Sequence, residues 1–114
     1  MLIRKYSFGE IIVDNKRYTR DLIVFPDKIK ENWWRKEGHY LCLEDLEEVI
    51  QYKPEILVIG TGYHGIMRVP DELVGELQKL GIKVIVKKTK DACDEFNRLI
   101  AEGKRVVAAL HLTC

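Results

Sequence analysis

From Leu43 onward the chain repeats one alternation, an amphipathic helical stretch followed by a short apolar run. The runs "EILVIG", "IKVIVKK" and "RVVAALHL" read as strands over 55–60, 82–87 and 105–110. Leu43, Leu46, Val49 and Ile50 fall near one helical face, and Pro54 stops that helix, which spans about 43–53. Pro70, Asp71 and Glu72 start the next, over about 70–80: proline needs no amide partner there, and the acids suit the positive helix end. Gly81 terminates it. A third helix over about 90–102, capped by Thr89, buries Ala92, Phe96, Leu99 and Ile100 and ends at Gly103. Strands joined through helices require a central sheet with helices laid over it.

The first forty residues follow a different rule. "LIRKYSFG" and "EIIVDNKRYTRDLIVFP" carry β-branched and aromatic residues around a tight "DNK" turn, which reads as a hairpin. "NWWRKEGHYL" is either another short strand or an ordered loop. With no linker between the two styles and 114 residues in all, the expectation is a single α/β domain over 1–114. Its sheet is mixed, of about five strands, with an N-terminal antiparallel hairpin.

Composition narrows the function classes. The formal net charge is +1 and no Lys/Arg block of five or more occurs, so nucleic acid is not an expected partner. No stretch approaches a membrane span, and "MLIRKYSFGE" lacks the apolar core of a signal peptide, so a cytoplasmic protein is expected. Cys42, Cys93 and Cys114 are odd in number and widely spaced, which suits free thiols. Scarce Asn and Gln against abundant Lys, Glu and Arg hint at a heat-adapted source.

Several segments in order, "YTRDLIV", "WWRKEGH", "VIGTG", "VPDEL", "KLGIKV", "TKDACDEFNRL" and "EGKRVVAALH", cover essentially the whole chain. Together they resemble a small, mostly uncharacterised family that includes the mitochondrial respiratory complex I assembly factor and the adipogenesis-associated domain protein. The resemblance implies a three-layer fold with a mixed five-stranded sheet whose last strand runs against the others. It also implies action through other proteins, with no reaction, cofactor or catalytic residue established. The family pattern places an aspartate at Asp21, after Tyr18.

Gly60, Gly62 and Gly65 match G-x-G-x-x-G after a strand, but a dinucleotide loop keeps its third glycine inside the helix that follows. Here "IMRV" separates Gly65 from Pro70, and Lys87-Lys88 stands where a ribose-binding acid belongs, so no nucleotide cofactor is expected. An anion site fits better. If 55–60 and 82–87 are parallel, their C-terminal ends gather Gly60, Thr61, Gly62, Tyr63, His64 and Arg68 with Lys87, Lys88 and Thr89, beside two helix N-termini. The glycines would let loop amides approach a bound oxygen.

Asp21 interrupts an apolar strand and reads either as a general base or as the partner of Arg17, Arg20 or a distant arginine; the pairing is preferred. His39-x-x-Cys42 and His111-x-x-Cys114 supply four zinc-type donors, but residues three apart on a strand point to opposite faces, so no metal is expected. Cys93 reads as a core thiol with no base to activate it. Of the adjacent Trp33 and Trp34, extended chain buries one and exposes the other as a partner-binding anchor. The combined reading is a binding or assembly-assisting module, more plausibly not an enzyme. Its partner would be another protein or a small anion, and a homodimer stays open. The alternative is a small enzyme acting on an anionic metabolite, with His64 as acid/base and Asp21 in support.

Overall fold

The computed structural model describes residues 1–114. Eight strands, three α-helices and a 3₁₀ turn form two sheets. β1 (Ile3–Ser7), β2 (Glu10–Val13) and β3 (Lys16–Tyr18) make an antiparallel meander. The "DNK" turn forms as expected, with Asp14 in the left-handed region (φ 54°), which Asp tolerates better than most residues. β4 (Leu22–Val24) and β5 (Ile29–Lys30) join β6 (Ile56–Thr61), β7 (Lys83–Lys87) and β8 (Val106–His111) in a five-stranded sheet of order β5-β4-β8-β6-β7.

β6 and β8 sit in the middle of this sheet and are buried along their whole length, which explains their continuous apolar runs. Strand alternation then divides the core in two. Ile56, Val58, Val106, Ala108 and Leu110 face α3 (Thr89–Ala101) and the meander, with Ala92, Phe96, Leu99, Ile3 and Ile11. Leu57, Ile59, Val107 and Ala109 face the 3₁₀ turn (Leu43–Leu46), α1 (Glu47–Tyr52) and α2 (Asp71–Lys79), with Leu46, Val49, Leu73 and Leu77. The result is three layers.

Three expectations need correction. The last strand is not the one that runs against the others: β8 is parallel to β6, from Ile56↔Val106 to Thr61↔His111, and β6 is parallel to β7. α3 returns the chain to the edge where β7 began, so β8 enters in the same direction. The reversed strand is β4, antiparallel to β8. Thr89 does not cap α3; Lys88 holds the cap position, and the Thr89 side chain is committed elsewhere. Trp33 is 4% exposed, packs in the second core layer, and donates its indole N–H to the Asp45 carbonyl at 2.9 Å, so it belongs to the core. Trp34 is 83% exposed, as the in-out rule for adjacent residues requires. "NWWRKEGHYL" is an ordered loop held by isolated bridges of Tyr40 to Glu37 and to Arg68.

Candidate functional site at the C-terminal edge of the sheet

Parallel β6, β7 and β8 end at one edge, and Gly60 stands in register with Lys87. The 61–68 loop and the Lys87–Thr89 segment therefore meet. A Cβ on Gly60 would lie 2.8 Å from Thr89 Oγ1 and 2.9 Å from Leu110. On Gly62, at φ 110°, it would lie 2.4 Å from the Thr113 carbonyl oxygen. These glycines admit neighbouring chain, not a ligand. Thr89 Oγ1 accepts the Gly62 N–H at 2.8 Å and donates to the His111 carbonyl, which locks α3 to β6 and β8. Thr61 Oγ1 donates to the Lys87 carbonyl at 3.2 Å.

Several of the loop amides are likewise committed. The N–H groups of Tyr63, Ile66 and Met67 donate to the carbonyls of Thr113, Cys114 and Thr61, and that of Thr89 donates to Gly62. The side chains of His64, Arg68, Lys87 and Lys88 are exposed at this edge, with the Lys88 stem lying along Gly65. Gly65 precedes α2 by a full loop, since the helix begins at Asp71.

Between these cations the loop presents rings. Phe8, from the β1–β2 turn, is 54% exposed and Tyr63 is 48% exposed, with ring centroids 5.8 Å apart at an interplanar angle of 70°. His64 lies 5.0 Å from Tyr63 and 6.3 Å from Phe8. Ile66 is exposed beside them in the loop. Tyr6 supports the cluster from below, 6.4 Å from Tyr63, donating its hydroxyl to the Leu112 carbonyl at 2.7 Å. Burial, chiefly, pushes that phenol up to about 12, so it remains a donor.

Behind Thr113 the same edge holds a cleft of about 480 Å³ lined by Asp21, Trp34, Arg35, Lys36, Gly38 and Thr113 among others. Asp21, at the entry to β4, is its electrostatic centre. Its Oδ1 accepts the Leu112 N–H at 2.8 Å, and its Oδ2 meets Arg35 Nη2 and His111 Nδ1, each at 2.7 Å. Burial alone would raise the Asp21 carboxyl, but hydrogen bonds from His111, Leu112 and Arg35 outweigh it and hold it below the ordinary carboxylate range. Arg35 stacks on Trp33, with its guanidinium carbon 4.7 Å from the ring centroid.

A family described as "Protein of unknown function (DUF498/DUF598)" matches residues 3–111. The chain belongs to this family. The 13 kDa major membrane protein of Francisella tularensis is 26% identical over 113 residues, covering 93% of this chain and 86% of that protein. NADH dehydrogenase [ubiquinone] 1 alpha subcomplex assembly factor 3 of Xenopus tropicalis is 32% identical over 114 residues, covering 96% of this chain and 60% of that protein. The chain thus spans about three fifths of that assembly factor. Among solved structures, a conserved hypothetical protein from Pyrococcus horikoshii superposes with a TM-score of 0.83 at 27% identity, covering 100% of both chains. No helix of this DUF498/DUF598 chain is long and apolar enough to cross a membrane.

Within this family fold, the residues singled out from sequence divide by role. Gly60, Thr61, Gly62 and Thr89 shape the edge from inside, while His64, Arg68, Lys87, Lys88 and Trp34 face outward. Asp21 takes the distant-arginine pairing, with Arg35. Its imidazole partner is His111, not His64. Phe8 and Arg35 carried no sequence signal: Phe8 is one apolar residue in a strand-like run, and Arg35 one of many cations.

Proposed function

We propose that this chain is a protein-binding, assembly-assisting module that docks its partner through the 62–66 loop and Phe8. The observation that carries the reading is the exposed ring cluster of Phe8, Tyr63 and His64, with Ile66, on an edge flanked by Arg68, Lys87 and Lys88. Exposed aromatic side chains bury much area at small entropic cost, and such anchors dominate interface energies. The basic flank suits a partner with an apolar pocket and an acidic rim, giving association that slows as salt rises. The pairing of the Gly62, Tyr63, Ile66 and Met67 amides within the chain leaves fewer backbone donors for a small anion and favours a side-chain docking surface. The Xenopus relative, named as an NADH dehydrogenase [ubiquinone] 1 alpha subcomplex assembly factor, supports the same class of role.

Phe8→Ala with Tyr63→Ala removes both central rings at exposed positions and should leave the fold intact. Losing two such anchors weakens a specific complex by at least about 2 kcal/mol, roughly thirtyfold. The test is quantitative affinity capture from the source cell, wild type against the double variant. A discrete partner that the variant loses supports the proposal. An identical captured set for both proteins, or no specific partner for either, refutes it.

A further inference from the structure

The cluster behind the docking edge holds donor atoms that protein docking does not use. His111 is 5% exposed, and its Nδ1 faces the ionised Asp21 at 2.7 Å. Arg35 Nη2 lies 3.1 Å from the same Nδ1, and in the neutral tautomer that donates Nδ1–H to the carboxylate, Nε2 presents a lone pair. That Nε2 is buried and has no hydrogen-bond partner. Buried acceptors are rarely left so. The same ring belongs to a cluster with metal-ligand chemistry: His39, His111 and Cys114 each bring one donor atom within 4.8 Å of the others, and the His39 ring stands edge-on to His111 with centroids 5.5 Å apart.

We propose that His39, His111 and Cys114 form a zinc(II) site with its fourth position open to water or a small anion. Zn–N distances of about 2.0–2.1 Å and a Zn–S distance of about 2.3 Å place the tetrahedral ligand atoms roughly 3.3–3.6 Å apart. Closing from the present separations takes small side-chain rotations by exposed His39 and half-buried Cys114, while His111 stays fixed. Asp21 is then the positioning carboxylate: it holds the tautomer and ring plane of a ligating histidine, as outer-shell partners of zinc do. Arg35 in turn fixes Asp21 and balances its charge. Asp21 and Arg35 line the cleft, as do Gly38 and Thr113, the chain neighbours of His39 and Cys114. The strand-alternation objection does not apply, because β8 ends at His111 and the chain is free to bring Cys114 back. Cys42, the sequence partner of His39, stays outside the cluster.

The site goes beyond the docking role and is tested separately. The full chain, stripped by chelator under reducing conditions, is titrated with zinc(II) against a chromophoric competitor and with cobalt(II) read by absorption. One metal per chain is expected, with a thiolate-to-cobalt band and tetrahedral d–d intensity. Cys114→Ser removes the thiolate band and weakens zinc binding at least tenfold, and His39→Ala weakens it comparably. Asp21→Asn weakens it about 10–100-fold. Cys42→Ser and the Phe8→Ala/Tyr63→Ala variant bind as wild type does. Circular dichroism confirms the fold of each variant. Absence of the thiolate band in folded wild type, unchanged binding in Cys114→Ser, or equal loss in Cys42→Ser overturns the assignment.

Discussion

Asp21→Ala should be among the most damaging single changes outside the apolar core. The substitution strips the counter-ion from Arg35, whose side chain is 5% exposed and whose Nε and Nη1 already lack partners. Nη2 would keep only the Gly38 carbonyl at 3.0 Å and the neutral His111 ring nitrogen at 3.1 Å, neither of which carries a compensating charge. His111 Nδ1 and the Leu112 N–H lose their acceptor as well. Breaking a buried pair from one side costs about 3–5 kcal/mol, because the surviving charge stays desolvated. With an unfolding entropy of about 2.1 cal/mol/K per residue, a chain of 114 residues loses roughly 12–20 °C in Tm. Urea unfolding at pH 7 gives the free energy, and calorimetry gives Tm. The pH dependence supplies a second check. Because the folded Asp21 carboxyl lies below its ordinary value, its contribution is complete above the unfolded pKa, about 3.9, and is lost as pH falls through the lower folded value. The gap between wild type and variant attributable to Asp21 should therefore narrow only below about pH 4. Asp21→Ala with Arg35→Leu should recover part of the loss. A single-variant cost under about 1 kcal/mol, or a gap that closes near neutral pH, would show that the cluster is not a tight buried pair.

Gly62→Ala should destabilise by at least about 2 kcal/mol in urea unfolding, since it adds both left-handed strain and a backbone clash. Gly75→Ala, inside α2 with open space around the new methyl, should stabilise by about 0.5–1 kcal/mol; opposite signs are the test. Thr89→Val keeps the shape but removes the acceptor for the Gly62 N–H, leaving a buried donor unpaired at a cost of about 1–3 kcal/mol; hydrogen exchange at Gly62 should accelerate with it. Cys93 is buried and its thiol is pushed up to about 12, mainly by that burial, so a thiol reagent at pH 8 should label it only after unfolding.

The helices and the three later strands were legible because their signals are local. Pro70, Gly81 and Gly103 punctuate the chain, and the helical and two-residue periods differ visibly. The core layers followed from strand alternation alone, as Ile56 and Val58 face one way and Leu57 and Ile59 the other. The direction of β8 was not legible in the same sense, because it depends on where α3 delivers the chain rather than on any residue in the strand. Thr89 read as a cap because threonine before an apolar helical stripe usually is one. Its hydroxyl instead serves Gly62 and His111, which only the parallel packing brings near. The Asp21–His111 contact joins residues at opposite ends of the sequence, a pairing that no motif or spacing encodes.

The most direct test of the docking claim is site-specific photo-crosslinking in the source cell. A photoreactive phenylalanine analogue at position 63 places the reactive group among the exposed rings. The same analogue at Glu76, on the exposed face of α2, serves as the control. A discrete adduct with one protein partner is expected from position 63, weakened when Lys87 and Lys88 are both changed to Glu, and none from position 76. No adduct from position 63, or the same adducts from both positions, contradicts the docking claim.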